Sequence, residues 1–213
     1  MAHRAAGARH GGVSEANTER DPIAWVAEIL EAAEAAEGGQ PERDPMRVAL
    51  ATADAEGHPS VRYVLLKGFG PEGFVFYTNY QSAKAGELDA NPHAALAFHW
   101  WSTGVQVRAR GSVARLSAAE SDAYFASRSR GSQLGAWASD QSRPLVGRAA
   151  LEAQLEAAEK RFEGAEVPRP AHWGGYRLRP SRLEIWLNGA HRLHDRFEFE
   201  SAAEGWVGRR LAP

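Results

Sequence analysis

The sequence predicts an α+β fold in which a small antiparallel β-barrel is surrounded by peripheral helices. Short segments of alternating apolar residues recur along the chain, separated by glycine-containing turns, as is typical of an antiparallel meander. Stretches with helical periodicity account for much of the remainder. Because about eight strands in an open sheet would leave two exposed edges, closure into a barrel is the arrangement that protects them.

The chain length suits one domain with a well-buried core, since 213 residues would be cramped as two full domains. Residues 1–20 are polar and rich in Gly and Ala without periodicity, so we expect a disordered tail there. The single folded domain is then expected over residues 21–213.

Composition excludes several classes of function. The formal net charge of −2 provides no basic field for non-specific nucleic-acid binding. The chain has no cysteine, which excludes disulfides, thiolate nucleophiles and thiolate metal sites. No signal peptide or membrane-spanning segment is recognisable, so we expect a cytoplasmic protein without a membrane or nucleic-acid partner.

The first half of the chain predicts a helix followed by five strands. Asp21 and Pro22 provide an N-cap and a proline at the first helical position, and helical spacing continues to residue 37. Ser82 is positioned to cap a short helix that ends at Asp89. The predicted strands are 46–53, 60–67, 73–79, 94–101 and 105–116.

The second half predicts two further helices and four strands. Ser117-Ala-Ala-Glu120 fits a capping box that begins a helix ending near Ser127. Residues 128–144 are predicted to be irregular, a kind of segment that often carries function. A helix follows at 148–163, and the predicted strands are 174–178, 183–187, 191–200 and 205–211.

One strand carries an unusual row of basic side chains. Because alternate side chains of a strand share a face, Arg192, His194 and Arg196 are predicted to point the same way. Three potentially cationic groups in one row repel each other. The row is easier to explain if an anion such as a phosphate lies against it.

Two more clusters could bind anions, although each has a structural alternative. Arg62 and Lys67 share one strand, where they could instead be cations at an exposed sheet edge. The segment 77–84 ends a strand and begins a helix, a geometry in which backbone donors and Lys84 can hold a phosphate. An ordinary capped surface helix would look the same in sequence.

Other chemical motifs are weak or absent. Arg128 follows Tyr124 near a helix C-terminus, where the helix dipole also favours a cation, and Ser132 lies just beyond. We find no metal site, because His191 and His194 would lie on opposite faces of a strand. A hydrolase elbow, a dinucleotide loop and a P-loop are also missing. The clusters therefore suit one or two phosphorylated small molecules.

Several motifs together resemble the pyridoxine/pyridoxamine 5′-phosphate oxidase family, in the same order from about Asp44 to Pro213. The matching motifs are Arg62-Tyr-Val-Leu-Leu-Lys67, Phe76-Tyr-Thr-Asn79, Ser132-Gln-Leu-Gly-Ala-Trp137, Gln141-Ser142, Trp173-Gly-Gly-Tyr176, Arg192-Leu-His-Asp-Arg196 and Arg210-Leu-Ala-Pro213. The resemblance implies an FMN-binding split-barrel fold. It also implies a homodimer with FMN at the subunit interface.

The resemblance implies two sets of ligand contacts. FMN would be bound by Arg62, Tyr63, Val64, Leu65, Leu66, Lys67, Tyr77, Thr78, Ser82, Lys84, Gln106, Gln141, Ser142, Trp186 and Arg196. The substrate, a small phosphorylated pyridine, would be bound by Lys67, Tyr124, Arg128, Ser132, Arg192 and His194. Arg192 and His194 would act in catalysis. The FMN phosphate would meet Arg62 and Lys84, with Ser82 nearby.

The implied activity is FMN-dependent oxidation of pyridoxamine and pyridoxine 5′-phosphates to pyridoxal 5′-phosphate, with O2 reduced to H2O2. Two alternatives remain open: oxidation of another ring such as a dihydrophenazine, and non-catalytic binding of flavin or pyridoxal phosphate. The chain has Ala83 where many family members have Arg, so one expected phosphate cation is absent. The segment before Asp44 matches the family poorly.

Overall fold

Eight antiparallel strands form one continuous sheet in the computed structural model, which describes residues 15–37 and 44–213. The strands are β1 (Arg47–Ala53), β2 (Pro59–Gly70), β3 (Gly73–Asn79), β4 (His93–Trp100), β5 (Val105–Arg115), β6 (Trp173–Leu187), β7 (Asp195–Ala202) and β8 (Gly205–Leu211). The helices are α1 (Pro22–Glu37), α2 (Ala83–Ala90), α3 (Ala118–Ser127), α4 (Arg130–Ala138) and α5 (Arg148–Arg161). The predicted α+β class is confirmed.

The sheet closes on itself to form a six-stranded barrel. The strand order is β3-β2-β1-β4-β5-β6-β7-β8, and an additional pairing between β3 and β6 joins the ends of the first six strands. The hairpin of β7 and β8 extends the sheet outside the barrel. Closure pairs strands that would otherwise be free edges, which confirms the predicted barrel.

The long strand β6 makes both the closure and the extension possible. Its first residues, Trp173–Leu178, pair with β3, and its last residues, 182–187, pair with β7. The sequence predicted two strands here, separated at Pro180. That prediction is wrong because Pro180 lies beside a register shift in β5, where a missing backbone donor is tolerated.

Alternate side chains of the strands fill the barrel. Phe74, Phe76, Phe98 and Tyr176 are among the largest fully buried residues. Outside the barrel, Trp25 of α1 packs against the rings of Phe197 and Phe199 on β7, with centroid distances of 5.4 and 6.2 Å. Helix α1 thus covers the apolar face of the extension.

A second apolar cluster joins α3, α4 and α5 to the start of β6. Its buried members are Phe125, Leu134, Ala158, Phe162, Val167 and Trp173. The capping box predicted at the start of α3 is present, because Ser117 Oγ accepts from the Glu120 N–H and the Glu120 carboxylate accepts from the Ser117 N–H. The apolar cluster fixes α3 against the end of the barrel.

Three further local predictions differ from the structure. Residues 130–138 form α4 instead of an irregular segment, because Leu134 and Ala138 bury one face against neighbouring helices. Ser82 precedes α2 but makes no side-chain cap, since its hydroxyl donates to the Asn79 carbonyl at 2.7 Å. The predicted strand over 191–200 begins only at Asp195.

The predicted disordered tail lies largely outside the described residues. Its end is within them, and Glu15–Glu19 form a 3₁₀ turn. Of the helices in the described ranges, none combines the length and the apolar character needed to cross a membrane.

We predict that Gly111→Ala will destabilise the barrel, because an added Cβ would lie 1.9 Å from the Arg179 carbonyl oxygen. The backbone of a paired strand cannot move aside, so we expect the free energy of unfolding to fall by at least about 2 kcal/mol. Urea denaturation measures this change in stability. Gly86→Ala is the matched control, since open space surrounds Gly86 inside α2 and alanine should stabilise the helix by about 0.5–1 kcal/mol. Equal stability of the two variants would contradict the close approach at Gly111.

Candidate functional site

A polar cluster lies where β3 ends and α2 begins. Lys84 Nζ donates to Gln141 Oε1 at 2.7 Å and to Thr78 Oγ1 at 3.1 Å. The Ser82 hydroxyl oxygen accepts from the same nitrogen at 3.3 Å. Thr78 also donates to Gln141 Oε1 at 3.0 Å. The structure therefore brings Gln141 to three side chains of the segment 77–84, from which it is distant in sequence.

Arg62 of β2 adjoins this cluster and is held by an acid that the sequence did not reveal. Its guanidinium pairs with Glu87 of α2 at 2.9 Å and also donates to the Leu50 carbonyl and the Thr52 hydroxyl. Burial alone would raise the pKa of Glu87, but hydrogen bonds from Thr52, Ser60 and Arg62 and the charge of Arg62 hold it below the usual range. Arg62 is thus fixed in place by a carboxylate.

Lys84 lies in a setting that disfavours its charge. Burial is the main cause that lowers its pKa to about 8, and the nearby Arg62 cation adds to the effect, while Glu87 opposes it. Two cations share one carboxylate here. An anion would relieve their repulsion, so the cluster has the chemistry of an anion site.

An aromatic stack lies on the outside of the barrel beside this cluster. Tyr77 stacks on Tyr124 with centroids 3.9 Å apart, and Trp173 is nearly parallel to Tyr77 at 5.3 Å. Gly174 and Gly175, which follow Trp173, leave space for this stack, since a Cβ on Gly175 would lie 2.8 Å from the Tyr77 ring. Burial raises the pKa of Tyr77 and Tyr124, so both hydroxyls stay protonated at neutral pH.

Arg128 lies over this stack with unused hydrogen-bonding capacity. Its Cζ is 4.5 Å from the centroid of the Trp173 ring and 5.5 Å from that of Phe125. Its Nη1 is buried and has no hydrogen-bond partner within the described residues. Burial lowers the pKa of Arg128, although not enough to remove its charge at neutral pH.

Two other predicted substrate residues are exposed. Ser132, in the first turn of α4, accepts a hydrogen bond from Ser129 Oγ at 2.9 Å. Lys67 lies at a register shift of β2 between Leu66 and Gly68, a feature that can redirect a side chain.

The remaining residues of the Arg62–Lys67 strand alternate in burial. Tyr63 and Leu65 are exposed on the outer face of the sheet, whereas Leu66 is 1% exposed and belongs to the core. Only the backbone of Leu66 can therefore face a ligand. Val64 is half-buried against the core, and Ser142, exposed beside Gln141, has a positive φ of 70°.

A second group lies on the outer face of β5, β6 and β7. Trp186 is opposite Gln106 on one side and opposite Arg196 on the other. All three are half-buried and alternate with core residues. The Trp186 ring packs against His194 at a centroid distance of 4.4 Å.

Arg196 is paired with an acid from the neighbouring strand. Its Nε donates to Glu184 Oε1 at 2.9 Å, and its Nη1 donates to the Ala212 carbonyl at 2.9 Å. Glu184 is 5% exposed and also pairs with Arg108. The predicted unpaired basic row is therefore wrong at Arg196, because sheet register supplies an anion that spacing along one strand does not show.

Arg192 and His194 lie in a turn, so the predicted common face of one strand is wrong for them as well. Residues Ala190–Arg192 form a 3₁₀ turn, and positive φ angles of 57° and 64° occur at His191 and Arg192. Non-glycine residues in this conformation carry local strain, which is common at functional sites. Arg192 is exposed.

The turn also orients the His194 ring. The Gly189 N–H donates to His194 Nδ1 at 3.2 Å. Because a backbone amide can only donate, neutral His194 carries its proton on Nε2. The Nε2–H is then available as a donor.

The two groups lie near opposite ends of β6. Thr78 is opposite Gly174 at the start of β6, whereas Trp186 is near its end. The intervening residues extend over up to about 40 Å at roughly 3.3 Å per residue. The two groups are therefore separated by most of the length of β6.

A further set of potential metal ligands lies away from both groups. Asp54, Glu56 and His58 are close together in the exposed turn between β1 and β2. His58 Nδ1 is 3.0 Å from Asp54 Oδ2, and hydrogen bonds from the His58 backbone and ring lower the pKa of Asp54 against the opposing effect of burial. These contacts account for the turn without a metal.

The closed barrel with an extended strand hairpin places the chain among the split β-barrel proteins. A Nostoc punctiforme structure described as a pyridoxamine 5′-phosphate oxidase-related, FMN binding protein has this fold, with a TM-score of 0.70 and 17% identity over 89% of this chain and 97% of that one. Burkholderia lata PhzG, solved with tetrahydrophenazine-1-carboxylic acid, has a TM-score of 0.85 and 29% identity over 95% and 98% of the two chains.

Sequence comparison defines the family. Residues 40–162 match the family model described as pyridoxamine 5′-phosphate oxidase, and residues 173–213 match the pyridoxine 5′-phosphate oxidase C-terminal dimerisation region. The pyridoxine/pyridoxamine 5′-phosphate oxidase of Sphingopyxis alaskensis is 52% identical over 94% of this chain and 91% of its own length. That of Rubrobacter xylanophilus is 50% identical over 95% and 91%. The chain belongs to the pyridoxine/pyridoxamine 5′-phosphate oxidase family.

We predict that Lys84 makes stability rise with pH. Its pKa of about 8 in the folded protein is below the ordinary value of 10.5, so between these values the unfolded chain binds the extra proton. The free energy of unfolding should therefore increase from pH 8 to pH 9.5 by at most about 2 kcal/mol from this group. Urea denaturation of the protein without added ligand, compared with Lys84→Met, isolates the effect. An identical pH dependence in the variant would show that Lys84 is not perturbed.

Proposed function

We propose that the protein is an FMN-dependent oxidase that converts pyridoxamine 5′-phosphate and pyridoxine 5′-phosphate to pyridoxal 5′-phosphate and reduces O2 to H2O2. The observation that carries this proposal is 52% identity, over 94% of the chain, to a relative named for this activity. Two separate clusters have the positive charge and the hydrogen-bond donors that bind phosphate, as expected if the cofactor and the substrate are both phosphorylated.

The cluster at the start of α2 fits the FMN phosphate. Lys84 and Arg62 supply positive charge, and Thr78 and Ser82 supply hydroxyl groups. A phosphate dianion would stabilise the ammonium form of Lys84, whose charge is disfavoured without it. Ala83 leaves this site with one cation fewer than many relatives, so Lys84 bears a larger share of the attraction.

A homodimer would complete the flavin site. Trp186 is twelve residues along β6 from Gly174, the residue opposite Thr78, and Gln106 and Arg196 flank Trp186, so these three side chains would come from the other subunit. The match of residues 173–213 to a dimerisation region supports this assembly. The exposed apolar side chains on the outer face of β2, Val61, Tyr63 and Leu65, are a surface that a second copy would cover.

The substrate phosphate would bind at Arg128 and its neighbours. The unpartnered Nη1 of Arg128, the protonated hydroxyl of Tyr124 and the exposed Ser132 are donors suited to phosphate oxygens. Lys67, which lies at a register shift of β2, would add a second cation.

The protein would hold the substrate for oxidation by the bound flavin. FMN, when bound, supplies a hydride acceptor and passes the electrons to O2. Arg192 would hold the pyridine ring from its exposed turn, and His194 would donate from Nε2 or move a proton at the reacting group. The strain at Arg192 is consistent with a side chain positioned for a ligand.

A second candidate is oxidation of a reduced phenazine ring. The TM-score of 0.85 with PhzG, solved with tetrahydrophenazine-1-carboxylic acid, favours it. The lower identity of 29% and the unpaired donors of Arg128 favour a phosphorylated substrate instead. A non-catalytic protein that binds flavin or pyridoxal phosphate is a third candidate. A measurement of turnover distinguishes it from the two oxidases.

We expect the purified protein to have a flavin absorption band after loading with FMN. Anaerobic addition of pyridoxamine 5′-phosphate should bleach this band, and admission of O2 should restore it with release of H2O2. A visible spectrum and a peroxide assay measure both steps. Bleaching by a dihydrophenazine alone would support the second candidate, and binding without bleaching would support the third.

We predict that Arg192→Met will reduce turnover at least about 100-fold while FMN remains bound, because Arg192 would position the substrate and not the cofactor. Steady-state kinetics and the flavin content of the purified variant test this division of roles. Loss of flavin from the variant would contradict it. Arg143→Met is a control for removing an exposed arginine from another loop, and it should retain activity.

A further inference from the structure

Arg128 differs from many arginines around the barrel in having no acidic partner within the described residues. Arginines in the described residues that pair with carboxylates include Arg62, Arg108, Arg115, Arg177, Arg182, Arg196 and Arg209. Arg128 makes no ion pair within that part of the chain, and its Nη1 is buried without a hydrogen-bond acceptor. Arg128 is half-buried, and an unpaired cation that is partly removed from water is costly, so its environment must stabilise it in another way.

The Trp173 ring provides that stabilisation. Arg128 Cζ lies 4.5 Å from the centroid of the indole, within the range of a cation–π interaction. A carboxylate would offset the charge and occupy the N–H donors. An aromatic face attracts the cation while the donors in the guanidinium plane remain available to another group.

Trp173 is itself rigidly held. It is 7% exposed, its carbonyl accepts from Arg169 Nη1 at 2.6 Å, and its amide donates to the Pro170 carbonyl at 3.0 Å. Tyr77 lies parallel to its ring and Phe125 contacts it edge-on at 5.1 Å. A fixed indole fixes the position of the guanidinium it contacts.

We propose that Trp173 is a positioning residue that stabilises the charged guanidinium of Arg128 in place of an acidic partner. The N–H donors of Arg128 thus remain available, and this sets the preference of the site for phosphorylated over unphosphorylated substrates. This inference rests on the proposed function, in which Arg128 binds the substrate phosphate. Trp173 acts through Arg128 and does not need to touch the substrate.

The chain contains a matched control for the substitution. Trp137 belongs to the periphery of the same apolar cluster, and Arg161 lies over its ring with Cζ also 4.5 Å from the centroid. The Trp137–Arg161 contact joins α4 to α5, apart from the stack at Tyr124. Trp137→Leu therefore removes the same type of contact without affecting Arg128.

We expect Trp173→Leu in the FMN-loaded protein to raise the KM for pyridoxamine 5′-phosphate about tenfold, with a smaller change in kcat. Competition by inorganic phosphate should weaken to a similar degree. Trp173→Phe, which keeps an aromatic face, should have an intermediate effect and guards against misfolding of the leucine variant. Trp137→Leu should change KM less than twofold. All variants are assayed at saturating FMN, because Trp173 also stacks on Tyr77, a residue assigned to the cofactor.

A double-mutant cycle tests whether Trp173 acts through Arg128. On an Arg128→Gln background, Trp173→Leu should add less than a twofold change in KM. A full tenfold effect on that background, or an equal effect of Trp137→Leu, would overturn the proposal. So would a fall in kcat with KM unchanged.

Failure of the proposed function can be separated from failure of this inference. If the FMN-loaded wild-type protein releases no peroxide with pyridoxamine 5′-phosphate, the proposed oxidase activity is wrong. Calorimetric titration with pyridoxamine 5′-phosphate and with inorganic phosphate then still tests Trp173, since Trp173→Leu should weaken binding about tenfold. Equal affinities in the wild type and the variant would overturn the inference whatever the activity.

Discussion

The hydrogen bonding of β6 to three other strands is the constraint on which the rest of the structure depends. Its first half closes the barrel against β3, its second half carries the β7–β8 hairpin, and β5 pairs along nearly its whole length. The same strand presents Trp173 at one end and Trp186 at the other. Closure of the barrel and separation of the two candidate ligand-binding groups therefore have one cause.

The charged residues around the barrel are arranged in two different ways. Arg62 and Arg196 are fixed by carboxylates that are largely buried, Glu87 and Glu184, so their geometry is set before any ligand binds. Arg128 is held by an aromatic ring and keeps its donors free. Paired arginines suit orientation of a ligand, whereas the unpaired one suits strong attraction of an anion.

Local patterns predicted most elements because the determining interactions lie within a few residues. The capping box at Ser117, Pro22 at the start of α1 and the alternation of β8 are of this kind. The predictions failed where distant contacts decide. Helix α4 depends on burial against other helices, and the turn before Asp195 depends on a backbone conformation that residue type does not favour.

The sequence by itself determined the fold class, the strand alternation and the residue types of the candidate site, because propensity, periodicity and motif order are properties of the chain. Only the tertiary structure decided which cations are already paired. Glu87 reaches Arg62 from a helix that is distant in sequence, and Glu184 reaches Arg196 across a strand pair. Such partners are fixed by sheet register and helix packing, which bring residues together irrespective of their separation along the chain.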